Sequence, residues 1–105
     1  MANTPKALFR GAATTTTTTV LYTVPASTST VVTNIAVTNT AATAATFTLG
    51  MGTAGANTSI HTTTAIAANS TVYIDLKQVL IATNTITGGA SAVTVSFHIS
   101  GVEIA

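Results

Sequence analysis

Cysteine and tryptophan are absent from this chain, and charge is nearly so. Without cysteine there is no disulfide framework and no thiolate zinc site. The charged residues are Lys6, Arg10, Asp75, Lys77 and Glu103, 5% of the sequence, against roughly 25% in an average domain. Phosphate is gripped by clustered Lys and Arg, so a formal net charge of +1 argues against nucleic acid as a partner. No apolar run approaches the ~20 residues of a membrane-spanning helix. Lys6 and Arg10 are followed by threonines rather than by the apolar stretch of a secretory leader, and there is no lipidation motif. Aromatics are few, two Tyr and three Phe.

What fills the chain instead is threonine and alanine, 45 of 105 residues together. The length suits one domain, which at this size buries about two-thirds of its unfolded surface. A coat of Thr, Ser, Asn and Ala sets up little charge repulsion between copies. We read it as the surface of a protein that lives in an assembly.

Period-2 alternation dominates, with Thr, Val, Ile, Phe and Tyr enriched as a pleated surface favours. Lys6 to Ala12 is a first strand, and six threonines (Thr14 to Thr19) follow as a linker or the start of the next. Val20 to Val24 is a strand ended by Pro25. Thr30 to Asn39 alternates clearly, with Val31, Thr33, Ile35 and Val37 on one side. Thr46 to Met51, Ser59 to Ile66 and Thr71 to Leu76 come next. Lys77 to Ala82 reads as a helical turn or bend. Asn84 to Thr87 is short, and Ser91 to Ser100 is the last long strand, with Val93, Val95, Phe97 and Ile99 inward. Eight or so short strands predict an all-β fold, one antiparallel β-sandwich of jelly-roll or Ig-like type with an extended N-terminal arm. The arm or first strand and Thr-rich linker take residues 1–19; the sandwich takes 20–105. The expected core is Phe47, Leu49, Val72, Ile74, Leu76, Val95, Phe97 and Ile99.

The inventory for catalysis is thin. His61 and His98 have no metal-ligand spacing. Asp75 and Glu103 are a conceivable carboxylate pair that nothing brings together; Asp75 with Lys77 is instead a local ion pair. Gly50, Gly52 and Gly55 spell G-x-G-x-x-G, but a strand rather than a helix follows. Asn57-Thr58-Ser59 and Asn69-Ser70-Thr71 match the glycosylation pattern as any Thr-rich chain will. We expect no enzyme, no metal and no cofactor. The candidate interface residues are Leu8, Phe9 and Arg10. Leu8 and Phe9 point to opposite faces of a strand, and such an arm adds to a neighbour's sheet edge or forms the domain's own first strand.

The stretches Leu21-Tyr22-Thr23-Val24-Pro25-Ala26 and Val31-Val32-Thr33-Asn34-Ile35-Ala36-Val37-Thr38-Asn39-Thr40 resemble small virion proteins of tailed bacteriophages. So do Ile66-Ala67-Ala68-Asn69-Ser70-Thr71, Ile74-Asp75-Leu76-Lys77-Gln78-Val79-Leu80 and the ending Phe97-His98-Ile99-Ser100-Gly101-Val102-Glu103. The resemblance implies a β-sandwich on the outer surface of the virion, made in the bacterial host cytoplasm. It implies a capsid decoration protein, or a small tail or fibre component. Its partners would be copies of itself, as a homotrimer, and the major capsid protein, or alternatively tail proteins, with neither nucleic acid nor membrane. A carbohydrate-binding sandwich is a further alternative, weakened by the scarcity of aromatic platforms.

Overall fold

The alternating segments become eight strands and no helix among the described residues: β1 Asn3–Ala12, β2 Val20–Thr23, β3 Ser29–Asn39, β4 Ala45–Thr53, β5 Ala56–Ile66, β6 Ser70–Leu80, β7 Thr85–Ala90 and β8 Val95–Ile104. The structure is a computed structural model and describes residues 3–53 and 55–105. β1 pairs β8, β2 pairs β7, β3 pairs β6 and β4 pairs β5, all antiparallel. The chain is thus one long hairpin with its tip between β4 and β5. Two further ladders, β3–β8 and β4–β7, roll that hairpin into two sheets. Their orders are β1-β8-β3-β6 (sheet A) and β2-β7-β4-β5 (sheet B). That wrapping is the eight-stranded jelly roll; an Ig sandwich groups its strands differently.

The core lies between the sheets. Phe47, Leu49, Ile86, Ile35, Val37, Val95, Phe97 and Ile99 are almost wholly shielded. The Phe47 and Phe97 rings meet edge to face, 6.3 Å apart and 71° between planes, the arrangement that ring quadrupoles favour. Five of the eight expected core residues are buried. Val72, Ile74 and Leu76 are only half-buried and pack against the core, because β6 is an edge strand.

Three expectations are corrected. In β3 it is Val32, not Val31, that shares the buried side of Ile35 and Val37, since an extra residue at Thr33 shifts the ladder to β8 and inverts the side-chain order. Lys77 to Leu80 is extended backbone continuing β6, not a helical turn. Val93 is 63% exposed, in the turn before β8 rather than on an inward face.

All four edge strands carry bulges. The ladder slips at Leu8 in β1, at Leu21 in β2, twice in β5 between Ser59 and Thr64, and at Leu76–Lys77 in β6. A bulge twists an edge and breaks the even row of N–H and C=O groups that a foreign strand would need. The sheets are therefore poor templates for strand addition.

The threonine run is tied down. Ala90 N–H donates to Thr14 O at 2.9 Å, Gly88 N–H to Thr19 O at 3.0 Å, and the Thr14 and Thr19 hydroxyls bond each other at 2.6 Å. The Thr16 carbonyl occupies the place a Cβ on residue 89 would take, so the crossover needs Gly89. At the same end, Asn39 is fully buried and organises three loops. Its Nδ2 donates to Thr43 O (2.8 Å) and Ala67 O (3.4 Å), while its Oδ1 accepts from Ala41 N–H (3.1 Å) and the Thr94 hydroxyl (3.3 Å).

Candidate interaction surfaces

The groups with catalytic potential are dispersed. His61 stands on β5 of sheet B, its ring 5.5 Å from that of Phe47 and its Nδ1 3.4 Å from the Thr64 hydroxyl. His98 stands on β8 of sheet A, exposed between inward-facing Phe97 and Ile99. Asp75 and Glu103 have separate partners. Asp75 accepts from Asn34 Nδ2 at 3.2 Å; the described residues show no Asp75–Lys77 ion pair. Glu103 meets Lys6 at 3.4 Å and accepts from the Tyr22 hydroxyl. No three His, Asp or Glu side chains gather among the described residues.

The Tyr22 cluster joins the sheets. Tyr22 belongs to sheet B; Thr30, Glu103 and Lys6 belong to sheet A. The Tyr22 oxygen gives its proton to Glu103, which leaves the Thr30 hydroxyl to donate to it at 2.9 Å. Burial first, and the Glu103 carboxylate second, push the phenol up to about 12. This is a structural clamp with both partners satisfied. Sequence reading missed it because nothing local links residues 6, 22, 30 and 103.

Of the three predicted interface residues, Leu8 is buried in the core of its own chain and Phe9 packs against that core. Arg10 alone reaches the outer face of sheet A. β1 is bonded along its length to β8 of the same chain.

Strand register sorts the outer face of sheet A into rows. One row reads Arg10, His98, Ala36, Tyr73 from the β1 edge to the β6 edge. Its neighbour reads Ala7, Ser100, Asn34, Asp75, and the next is wholly apolar: Pro5, Val102, Val31, Val79. Tyr73 is 71% exposed and Val79 65%. All five charged residues lie on β1, β6 and β8, hence on sheet A.

Sheet B has no Asp, Glu, Lys or Arg. Its outer face holds a groove of about 420 Å³ lined by residues such as Thr17, Val20, Gly50, Asn57, Ser59 and Thr87, with no aromatic ring among them. Gly50 makes the floor: a Cβ there would crowd Thr87 Oγ1 and Thr58 O, both at 3.2 Å. Across the bare backbone of β4, Asn57 donates to Thr85 O (3.2 Å) and Thr87 Oγ1 (3.0 Å) and accepts from the Thr85 hydroxyl (3.0 Å). With its amide so engaged, Asn57 is a structural brace between β5 and β7.

The fold is shared with virus capsids. The chain superposes on part of a protein in the icosahedral particle of infectious bursal disease virus with a TM-score of 0.55 and 10% identity, covering 97% of this chain and 29% of that one. For the VP2 subviral particle of the same virus the values are 0.54 and 12%, over 97% and 31%. A pentameric capsid protein from metagenomic phage sequences aligns at 0.41 and 15%, over 96% and 57%. The chain thus spans about three-tenths of the length of the infectious bursal disease virus proteins. No family model matches the sequence, and no curated protein does. At such identities the likeness defines the class by fold alone: a single jelly roll of the type found in viral capsid proteins.

Proposed function

We propose that this chain is a non-enzymatic structural protein of a tailed-phage virion, a decoration protein that sits on the outside of the capsid and packs against copies of itself and the major capsid protein. The observation that carries this reading is the surface: an eight-stranded jelly roll with five charges, one of them half-buried in a clamp, and a coat otherwise rich in threonine, serine, asparagine and alanine. Such a surface lacks the repulsion that keeps free proteins apart. A protein of this kind acts by area, since apolar and van der Waals contact added at a shell's symmetry positions stabilises it, and many copies multiply weak contacts. The dispersal of His61, His98, Asp75 and Glu103 supports a role without catalysis.

The test is to label the protein in purified particles and count it. A copy number matching capsid symmetry, with label over the head, is the expected result. Label confined to the tail at low copy number would transfer the chain to the tail or fibre. Absence from particles would overturn the virion reading altogether.

A further inference from the structure

The geometry points to a contact between two copies of this chain, made through the outer face of sheet A about a two-fold axis that runs along the strands. It deepens the reading of the chain as a self-packing protein. The argument starts from the rows. Arg10 stands at the β1 edge; Tyr73 and Asp75 stand at the β6 edge, in the same row and the next. Three strand spacings separate the edges, about 14 Å, too far for Arg10 to meet either group within one chain. Among the described residues Arg10 has no ion pair, and Tyr73 is 71% exposed.

A two-fold axis along the strands leaves each row at its own height and exchanges left with right. Arg10 of each copy then lies over Tyr73 of the other, with Asp75 one row away. Guanidinium on a phenol face and guanidinium beside a carboxylate are both favourable, and the symmetry makes each contact twice. The apolar row Pro5, Val102, Val31 and Val79 falls upon itself under the same operation. An axis across the strands would instead set Arg10 back over its own edge strand, near Pro5, and pair no charge. Sheet B offers no equivalent, having no charge to pair.

The area fits a weak contact. Four strands about 4.8 Å apart and eight to ten residues at about 3.3 Å each make a face of about 500–600 Å² per copy, so a pair buries about 1,000–1,200 Å², the lower limit for a specific interface. Tyr and Arg are among the types enriched at such surfaces.

Sedimentation equilibrium on the full chain tests this. The wild type is expected to dimerise reversibly. Arg10→Asp or Asp75→Arg alone should raise the dimer Kd about tenfold or more, each reversal acting at both symmetry-related contacts. The double variant, which swaps the charges, should recover part of the loss, the ion pair being restored and the guanidinium–Tyr73 contact not, and Ser59→Arg on sheet B should change nothing. Thermal melts of all four confirm folding, and the recovery in the double variant cannot come from misfolding. A wild type monomeric to millimolar concentration, singles without effect, a double that stays dissociated, or a dimer broken by Ser59→Arg would each overturn the contact. Failure of the virion reading is distinguishable: a chain that dimerises as described yet is missing from particles refutes that reading and leaves this contact standing.

Discussion

Replacing Asn39 by Ala removes the joint that holds one end of the jelly roll together. The side chain is fully buried and makes four hydrogen bonds, to the β3–β4, β5–β6 and β7–β8 loops. Each net hydrogen bond is worth about 1 kcal/mol, and a buried partner left unsatisfied adds about 1–3. Two of the four are long, at 3.3 and 3.4 Å, and deserve less weight. The Thr43 carbonyl and Ala41 N–H lose the better two. A loss of about 3–4 kcal/mol follows, against a total stability of roughly 5–15 kcal/mol for a domain of this size. The melting temperature should fall by about 15–25 °C, read by circular dichroism and by urea titration. Asn39→Leu should be no better, since it fills the volume but restores no partner. A loss under about 1 kcal/mol for Asn39→Ala would mean that water replaces the amide and that the loops need no joint.

Four further outcomes are expected. Phe97→Ala should cost about 3–5 kcal/mol by opening a cavity beside Phe47; a cost below about 1 kcal/mol in denaturant melts would contradict the edge-to-face core. Gly89→Ala should cost about 1–3 kcal/mol by driving a Cβ into the Thr16 carbonyl, whereas a neutral result would mean the threonine crossover moves freely. For Tyr22 the folded pKa of about 12 lies above the ordinary tyrosine value of 10.0. The stabilisation from the neutral phenol is therefore complete below pH 10 and is lost as pH rises towards 12. Tyr22→Phe should flatten that part of the stability profile, and an unchanged slope between pH 10 and 12 would refute the burial of the hydroxyl. Deleting residues 1–13 should impair folding itself, since it strips Leu8 from the core and uncovers the β8 edge; a truncated chain with an unchanged melt would show β1 to be dispensable.

The strands were legible wherever alternation ran unbroken. Phe47 and Leu49 in β4, and Val95, Phe97 and Ile99 in β8, face inward as their spacing predicts. Legibility failed at bulges. One extra residue at Thr33 puts Val32 rather than Val31 on the side of Ile35 and Val37, and the slip at Leu76–Lys77 makes the tail of β6 look non-periodic. Edge position also escaped prediction, because Val72, Ile74 and Leu76 have core-like letters but a solvent-facing flank. The jelly-roll wrapping depends on which strands pair across long separations, and a single sequence holds no local signal for that. Asn39 and Asn57 were unremarkable among many polar residues until the loops and glycines around them were placed. The rows on sheet A likewise exist only once register is known: Arg10 and Tyr73 are far apart in sequence and acquire a relation through β8 and β3.

The most direct trial of the account is the heat resistance of particles that lack this protein. Particles assembled without it should release their genome at a lower temperature than complete ones, and adding the purified chain back should restore the difference. Equal release temperatures for depleted and complete particles would contradict the claim that this jelly roll works by being packed against a shell.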